Sequence, residues 1–268
     1  MRNVLNRQGN HTQISPVLYH AHHLRHSEDL PFWLALARVK RTALLELGCG
    51  TGRVLLHLAN AGLDVFGLDL DLHMLAYLQS QVALDRRSQI KIFQADFTRF
   101  HLARRFDLII LPCNTLSTLV TDQRLALFQC VYDHLSDDGL FAASLPNPIL
   151  LRRMPRVGEE EVEDTFLHPL DNEPVQVSSA WVRDALYFNL TWAYDHLLAG
   201  GQVERTQVHV KHSLEPAAAY LQDLTDAGFP FVLSFGDYDG SLYRSRSAQL
   251  ILIASKKVVA PDLLVRVD

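Results

Sequence analysis

The residues with the clearest chemical use lie between positions 44 and 97. In the run 44–53, LLELGCGTGR, a short apolar stretch passes directly into Gly48, Gly50 and Gly52 and then into a helical pattern. Glycines at such a junction remove side chains, permit left-handed backbone angles and open the amides of a helix N-terminus to a ligand, as in nucleotide-cofactor sites. The spacing is GxGxG, and the last glycine of the dinucleotide pattern GxGxxG is absent, which disfavours a nicotinamide dinucleotide. Asp69 closes the next apolar run nineteen residues after Gly50, where a carboxylate can accept from two ribose hydroxyls. Asp96 closes the run after that, in QADF at 94–97; it can accept from the exocyclic amine of adenine, with Phe97 bordering the same ring. One acid at each of two successive strand ends outlines an adenosine.

The elements that must position these residues follow from periodicity. Residues 42–47, 64–69, 90–94, 106–111 and 140–145 are near-continuous apolar runs of strand length, as expected of strands buried on both faces. Between them 53–61, 72–84 and 122–135 carry apolar residues at helical steps, the first stopping at Gly62. Strands alternating with helices predict a parallel sheet with crossover helices on both faces. Ahead of this block, Ser27 can cap a helix from about Glu28, with Phe32, Trp33, Leu36 and Val39 as its apolar side. After it, Pro146, Pro148 and Pro155 interrupt the chain, and the acidic run 158–164, GEEEVED, reads as a boundary or a lid. Residues 175–182, 185–195 and 203–212 are rich in β-branched and aromatic types, with Gly200-Gly201 as a hairpin turn, and read as an antiparallel insertion. A helix over 216–227, closed by Gly228, then precedes strands at 231–235 and 249–254 that pair as a hairpin at the sheet edge.

The chain has 268 residues, 48% of them hydrophobic and 21% charged, an ordinary globular balance that excludes disordered and collagen-like classes. Its 25 Lys and Arg against 30 Asp and Glu give a net charge of −5, without the basic excess that drives binding to nucleic acid. Three scattered cysteines (Cys49, Cys113 and Cys130) form neither a disulfide framework nor a zinc pattern. The first ten residues lack the apolar run of a leader, and no stretch approaches membrane-spanning length, so a cytoplasmic chain with no membrane partner is expected. Nothing here fixes an oligomeric state.

The motifs ELGCGTGR at 46–53, VFGLDLDLHML at 65–75, QADFTRF at 94–100 and FDLIILPCNTL at 106–116 resemble those of the class I S-adenosylmethionine-dependent methyltransferases, in the broad family of small-molecule-type methyltransferase domains. The core resemblance spans 42–145. YHAHHLRHSEDLPFW at 19–33 is similar to the leading helical segment of one bacterial group, and GDYDGSLY at 236–243 followed by SAQLILIA to its terminal hairpin. The resemblance implies an α/β fold, a doubly wound, mostly parallel seven-stranded Rossmann-like sheet with an antiparallel β insertion or cap. It divides the chain into a helical segment over 1–41, a cofactor-binding core over 42–150, a β-rich cap over 151–213 and a helix with the terminal strand hairpin over 214–268. It further implies S-adenosylmethionine as cofactor and S-adenosylhomocysteine as product. Glu46, Gly48, Cys49, Gly50 and Gly52 then line the methionine and sugar side, Asp69 the ribose, Leu70 and Met74 the adenine face, and Asp96 and Phe97 its edge. Leu111 to Asn114 lie where methyl group and acceptor meet, and Tyr19 folds over the cofactor.

Methyl transfer from a sulfonium is an in-line displacement that needs mainly positioning, so no catalytic residue is assigned from sequence. Tyr19, His22, His26, Asn114, Asp237, Tyr238 and Tyr243 surround the expected mouth, with His26, Asn114 and Tyr238 as candidate contacts to a small-molecule N, O or C acceptor. Asn114 has a second reading as the cap of the next turn. His22 and His26 have helical spacing but no nearby carboxylate or thiolate in a ligand pattern, so pocket or surface histidines are expected rather than a metal site. Cys49 and Cys113 are expected to pack rather than react. The aromatics Trp181, Tyr187, Phe188, Trp192 and Tyr194 suit either an acceptor wall or an ordinary half-buried sheet. Pro112-Cys113-Asn114-Thr115 lacks the Asn/Asp-Pro-Pro-aromatic motif of nucleic-acid amine methylases. The competing readings are a cofactor-binding sensor or scaffold without methyl transfer, an NAD-dependent oxidoreductase, and an RNA or protein methyltransferase.

Overall fold

A computed structural model describes residues 14–40 and 43–258; Thr42, the expected start of the first strand, and the first ten residues lie outside them. The chain runs α1 (Pro16–His23), α2 (Leu30–Lys40), β1 (Leu44–Leu47), α3 (Arg53–Asn60), β2 (Val65–Asp69), α4 (Leu72–Gln81), β3 (Ile90–Gln94), β4 (Phe106–Leu111), α5 (Thr121–His134) and β5 (Leu135–Pro146). It continues through α6 (Pro148–Arg153), β6 (Val157–Leu167), β7 (Pro174–Arg183), β8 (Tyr187–Leu197), β9 (Val203–Ser213), α7 (Ala217–Asp226), β10 (Phe231–Phe235) and β11 (Gln249–Ser255).

The larger sheet has seven strands in the order β10-β11-β5-β4-β1-β2-β3. β1 to β5 are parallel, and the terminal hairpin adds β11 antiparallel to β5 and β10 antiparallel to β11. Successive strand residues face opposite sides, so Leu44 and Leu45 enter different cores. One core joins Leu44, Val65 and Leu108 to Trp33 and Leu36 of α2, Leu55 and Leu58 of α3 and Leu75 and Leu78 of α4. The other joins Leu45, Phe66 and Ile109 to Phe128 and Val131 of α5 and Tyr220 and Leu224 of α7. Strand order reverses between β1 and β4, which opens a crevice at their carboxyl ends, where doubly wound sheets place ligands.

The second sheet, β6-β7-β8-β9, is antiparallel throughout and is inserted between α6 and α7. One face buries Phe166, Val175, Val177 and Tyr194 against Ile14 and against Leu18 of α1. This sheet corrects the reading of 158–164 as a boundary or lid, because those residues belong to β6. The acids are matched across strands: Ser178 Oγ donates to Glu160 at 2.6 Å, Ser179 Oγ donates to Glu163 at 2.5 Å, and Arg205 pairs with Glu160 at 2.9 Å. Such partners are remote in sequence and invisible to a local reading. A charged, twice-bulged β6 also suits an edge strand, which must discourage pairing with other chains.

Smaller differences have similar causes. α2 begins at Leu30, and the carboxylate at its start is that of Asp29, which accepts from Trp33 Nε1 at 2.9 Å; Val39, expected on the apolar side, is exposed. α4 stops at Gln81, and 84–86 form a separate 3-10 turn. β8 begins at Tyr187 rather than 185. α6 crosses the expected boundary at 150: Asn147 accepts from the Ile149 amide at 3.0 Å and Pro148 takes the first helical position, so Pro148 starts a helix instead of only interrupting the chain.

Candidate functional site

The glycine turn leaves β1 with three left-handed residues, Gly48 at φ 65°, Gly50 at 52° and Gly52 at 87°. Gly52 precedes α3, and a Cβ there would lie 2.2 Å from Leu78 Cδ1, so close packing as well as backbone angle requires glycine. Gly48 and Gly50 are different, because the space beside them is open to side chains of the expected site. A Cβ on Gly48 would meet the Phe97 ring at 3.7 Å and Leu111 at 4.0 Å, and one on Gly50 would meet the Tyr19 ring at 4.0 Å. Tyr19 is held there by α1 and stacks on His23 with ring centroids 3.8 Å apart.

Asp69, at the end of β2, accepts from the Gly50 amide at 2.8 Å through one oxygen and from the Asp71 amide at 2.8 Å through the other. Burial raises this carboxyl above its ordinary range while the two amides oppose the rise. Each oxygen retains an acceptor position, as two vicinal hydroxyls require. Asp71 caps α4 by accepting from the His73 amide at 2.8 Å, which sets Leu70 exposed and Met74 half-buried against the cluster around α1. Asp96 accepts from both the amide and the hydroxyl of Thr98 through one oxygen, while Arg99 lies 3.5 Å from the other. The Cys49 side chain is in the core, where a Cβ on Gly67 would lie 2.8 Å from its sulfur, consistent with packing.

Two buried oxygens next to the crevice have no hydrogen-bond partner: Glu46 Oε2 and Asn114 Oδ1. Burial pushes the Glu46 carboxyl well above the carboxylate range. Asn114, at φ 63°, precedes a 3-10 turn over Thr115–Thr118, but its backbone carbonyl does the capping, accepting from the Ser117 amide at 3.2 Å and hydroxyl at 2.7 Å. The side-chain capping reading therefore fails. Unpaired buried acceptors are costly unless a ligand donates to them, and their position beside open glycine backbone fits the amino and hydroxyl donors of an adenosyl-amino-acid cofactor.

Beyond Asn114 lies a cavity of about 300 Å³, lined by His22, His23, His26, Glu28, Asp29, Arg53, Cys113, Asn114, Trp192, Tyr238 and Gln249. It gathers His26, Asn114 and Tyr238, contributed by the segment after α1, the β4 loop and the β10–β11 connection. Tyr243 is used elsewhere: its hydroxyl donates to Asn147 Oδ1 at 2.7 Å, so the expectation that it borders the mouth is not met. Trp192 reaches the cavity from β8, while Phe188 stacks on Trp181 and Lys211 sits over Tyr187, so the aromatic strands divide between wall and ordinary sheet packing.

Arg53 is the organising residue that sequence reasoning missed. Its guanidinium grips Asp29 with two bonds of 2.5 and 2.7 Å, donates to the His26 carbonyl at 2.7 Å and reaches Cys113 Sγ at 3.0 Å. It ties the first turn of α3 to the segment after α1 and to the β4 loop. Asp29, 24 positions upstream, carries no local signal of this partner.

His22 is buried and its Nδ1 lies 2.9 Å from the Tyr194 hydroxyl, a contact between α1 and the second sheet. Burial, with His26 nearby, lowers its pKa to about 4, so the ring is uncharged at neutral pH. The Tyr238 phenol is likewise pushed up by burial and stays protonated.

Residues 44–139 match the family described as "Methyltransferase domain". Over 220 residues the chain is 25% identical to a putative methyltransferase of Geobacillus sp. (strain WCH70), covering 80% of this chain and 84% of that one. It is 30% identical over 117 residues to the dTDP-3-amino-3,6-dideoxy-alpha-D-glucopyranose N,N-dimethyltransferase of Streptomyces fradiae, 43% of this chain and 44% of the other. The fold superposes on the crystal structure of an S-adenosylmethionine-dependent methyltransferase from Clostridium acetobutylicum ATCC 824 with a TM-score of 0.72 at 16% identity, covering 89% and 97% of the two chains. Among the described residues no helix is long and apolar enough to cross a membrane. The glycine turn with its strand-end acids, the seven-stranded order and the matched segment agree: the chain carries a methyltransferase domain over residues 44–139, on the fold shared with the S-adenosylmethionine-dependent methyltransferase of Clostridium acetobutylicum.

Proposed function

We propose that the acceptor is a small molecule carrying an amine, methylated in the cavity between Asn114 and Trp192. The observation that carries this reading is the cavity itself: at about 300 Å³ and walled by Trp192 of the second sheet, it suits one small ligand better than a polymer chain. The name of the Streptomyces fradiae relative, an N,N-dimethyltransferase of an amino sugar, supports nitrogen as the acceptor atom. The exposed Glu28 at the rim supplies negative charge for an incoming ammonium.

In this reading Gly48, Gly50 and Glu46 border the methionine and sugar side of the cofactor, Asp69 takes the ribose hydroxyls, and Leu70, Met74, Asp96 and Phe97 surround the adenine. Tyr19 covers the glycine turn. When bound, S-adenosylmethionine supplies a methyl group already activated by its sulfonium charge. The residues then need chiefly to orient the acceptor, and positioning of this kind contributes up to about 7–11 kcal/mol in the best intramolecular cases. Asn114 Oδ1 faces the amino group of the cofactor, and His26 and Tyr238 hold the acceptor's polar groups. His22, with its pKa near 4, is too weak a base to keep an ammonium proton, so the amine must give that proton to solvent at the open rim before its lone pair can displace the methyl group, and His22 orients by hydrogen bonding instead.

The test is transfer of labelled methyl from S-adenosylmethionine to a panel of amino sugars, other small amines, phenols, RNA and protein. Label on small amines is expected, and label confined to RNA or protein overturns the reading. Absence of label on every acceptor favours a cofactor-binding sensor. In parallel, Asp69→Ala should weaken S-adenosylmethionine binding by about 1.5–3 kcal/mol in calorimetry, the worth of hydrogen bonds to a charged group. Unchanged affinity removes the ribose assignment.

A further inference from the structure

A cluster at the far end of the second sheet, outside the cavity, has the composition and spacing of a cation site. His168 follows β6, Asp171 lies in the β6–β7 turn, and His196 is near the end of β8. His168 Nδ1 lies 3.2 Å from Asp171 Oδ1, and His196 Nε2 lies 3.2 Å from Asp171 Oδ2. The three ligand atoms all fall within 4.8 Å of one another, and the imidazoles lie face to face at 4.4 Å. Both histidine side chains are only 13% exposed. His168 Nδ1 is buried and makes no aligned hydrogen bond despite its closeness to Asp171.

We propose that His168, Asp171 and His196 bind a divalent transition-metal ion of the zinc type. Bonds of about 2.0–2.1 Å in a tetrahedron place neighbouring ligand atoms about 3.3 Å apart, and Asp171 Oδ1 lies 3.2 Å from both His168 Nδ1 and His196 Nε2, matching that edge twice. Two imidazoles and one carboxylate suit zinc and its neighbours, whereas calcium and magnesium require oxygens. The site is preorganised by backbone rather than by its own contacts. The His168 amide donates to the Glu173 carbonyl at 2.8 Å, the Asn172 amide to the His168 carbonyl at 2.9 Å, and Asn172 takes φ 60° to close the turn. Three protein ligands leave a fourth position for water. The bound ion ties the β6–β7 turn to β8 and stiffens the end of the sheet whose other residues reach α1 and the cavity. Among the described residues, His22 and His26 do not gather with a third ligand atom into such a group.

The experiment titrates the metal-free full chain with Zn²⁺ against a chromophoric chelator, and separately with Co²⁺ for its visible absorption. One saturable site per chain is expected, with absorption bands of tetrahedral Co²⁺. His168→Ala and His196→Ala should each weaken it at least tenfold, since even residues that only support metal ligands are worth 10–100-fold. His209→Ala, elsewhere on the same sheet, should leave it unchanged. Asp171→Asn, which keeps shape, should abolish the rise in melting temperature that Zn²⁺ gives the parent chain. Absence of saturable binding, or binding weakened equally by His209→Ala, overturns the proposal.

Discussion

β1 and β6 stand at opposite ends of the range of burial in this molecule. All four residues of β1 are buried, while β6 is exposed along most of its length and buries only Phe166. Correspondingly, the crevice at the end of β1 is built from backbone at the end of a fully buried strand and is bordered by amides, glycine space and two acids. The cavity beside it is built from side chains of α1, the β4 loop, the terminal hairpin and β8, brought together over long sequence distances. The comparison teaches that the glycine turn and its acids sit where packing is tight on both faces, while the inserted sheet keeps one strand largely open to solvent.

The largest effect expected from this contrast comes from removing the second sheet. Replacing 157–213 by a short linker should abolish methyl transfer while S-adenosylmethionine binding persists; loss of both together, with loss of the helical circular dichroism signal, shows instead that the insertion belongs to the core. Next is the Arg53–Asp29 pair, whose side chains are only 10% and 8% exposed. Asp29→Ala leaves a mostly buried guanidinium unpaired and should cost about 3–5 kcal/mol in chemical denaturation. A cost under 1 kcal/mol means the pair is solvated.

Within the glycine turn the contrast sharpens further. Gly52→Ala meets both a left-handed φ and the Leu78 side chain, and should destabilise by about 2–4 kcal/mol, the sum of strain and overpacking. Gly48→Ala meets the strain alone, about 1 kcal/mol, but should weaken cofactor binding more than Gly52→Ala does. Equal effects of the two substitutions on stability and on binding break the distinction between a packing glycine and a ligand-facing one.

The smallest effect is a pH dependence. His22 and His212 are both lowered by burial to about 4 from an unfolded value near 6.5, so the unfolded chain binds more protons between those limits. Their contribution is therefore present above about pH 6.5 and is lost as pH falls toward 4. His22→Phe should flatten the fall in melting temperature over that window, and an unchanged slope means His22 is not buried as a neutral ring.

The core strands were legible because strands buried on both faces write themselves as continuous apolar runs, and the glycine turn because its backbone angles admit few other residues. Asp69 and Asp96 were legible because strand ends place them. β6 was not, since its Glu160 and Glu163 accept from Ser178 and Ser179 of β7, Glu160 pairs with Arg205 of β9, and its residues leave no alternation to read. Arg53 was overlooked for a similar reason: its partner Asp29 belongs to a different element.

The sequence by itself determined the doubly wound core, the glycine turn and the acids beside it, because each is encoded by local periodicity or by a backbone conformation that only certain residues permit. Tertiary structure alone decided which of the mouth residues face the cavity, that Tyr243 supports Asn147 instead, that Arg53 clamps Asp29, and that His168, Asp171 and His196 converge. Those outcomes depend on distances between residues far apart in the chain, and such distances are set by how two sheets and their helices pack.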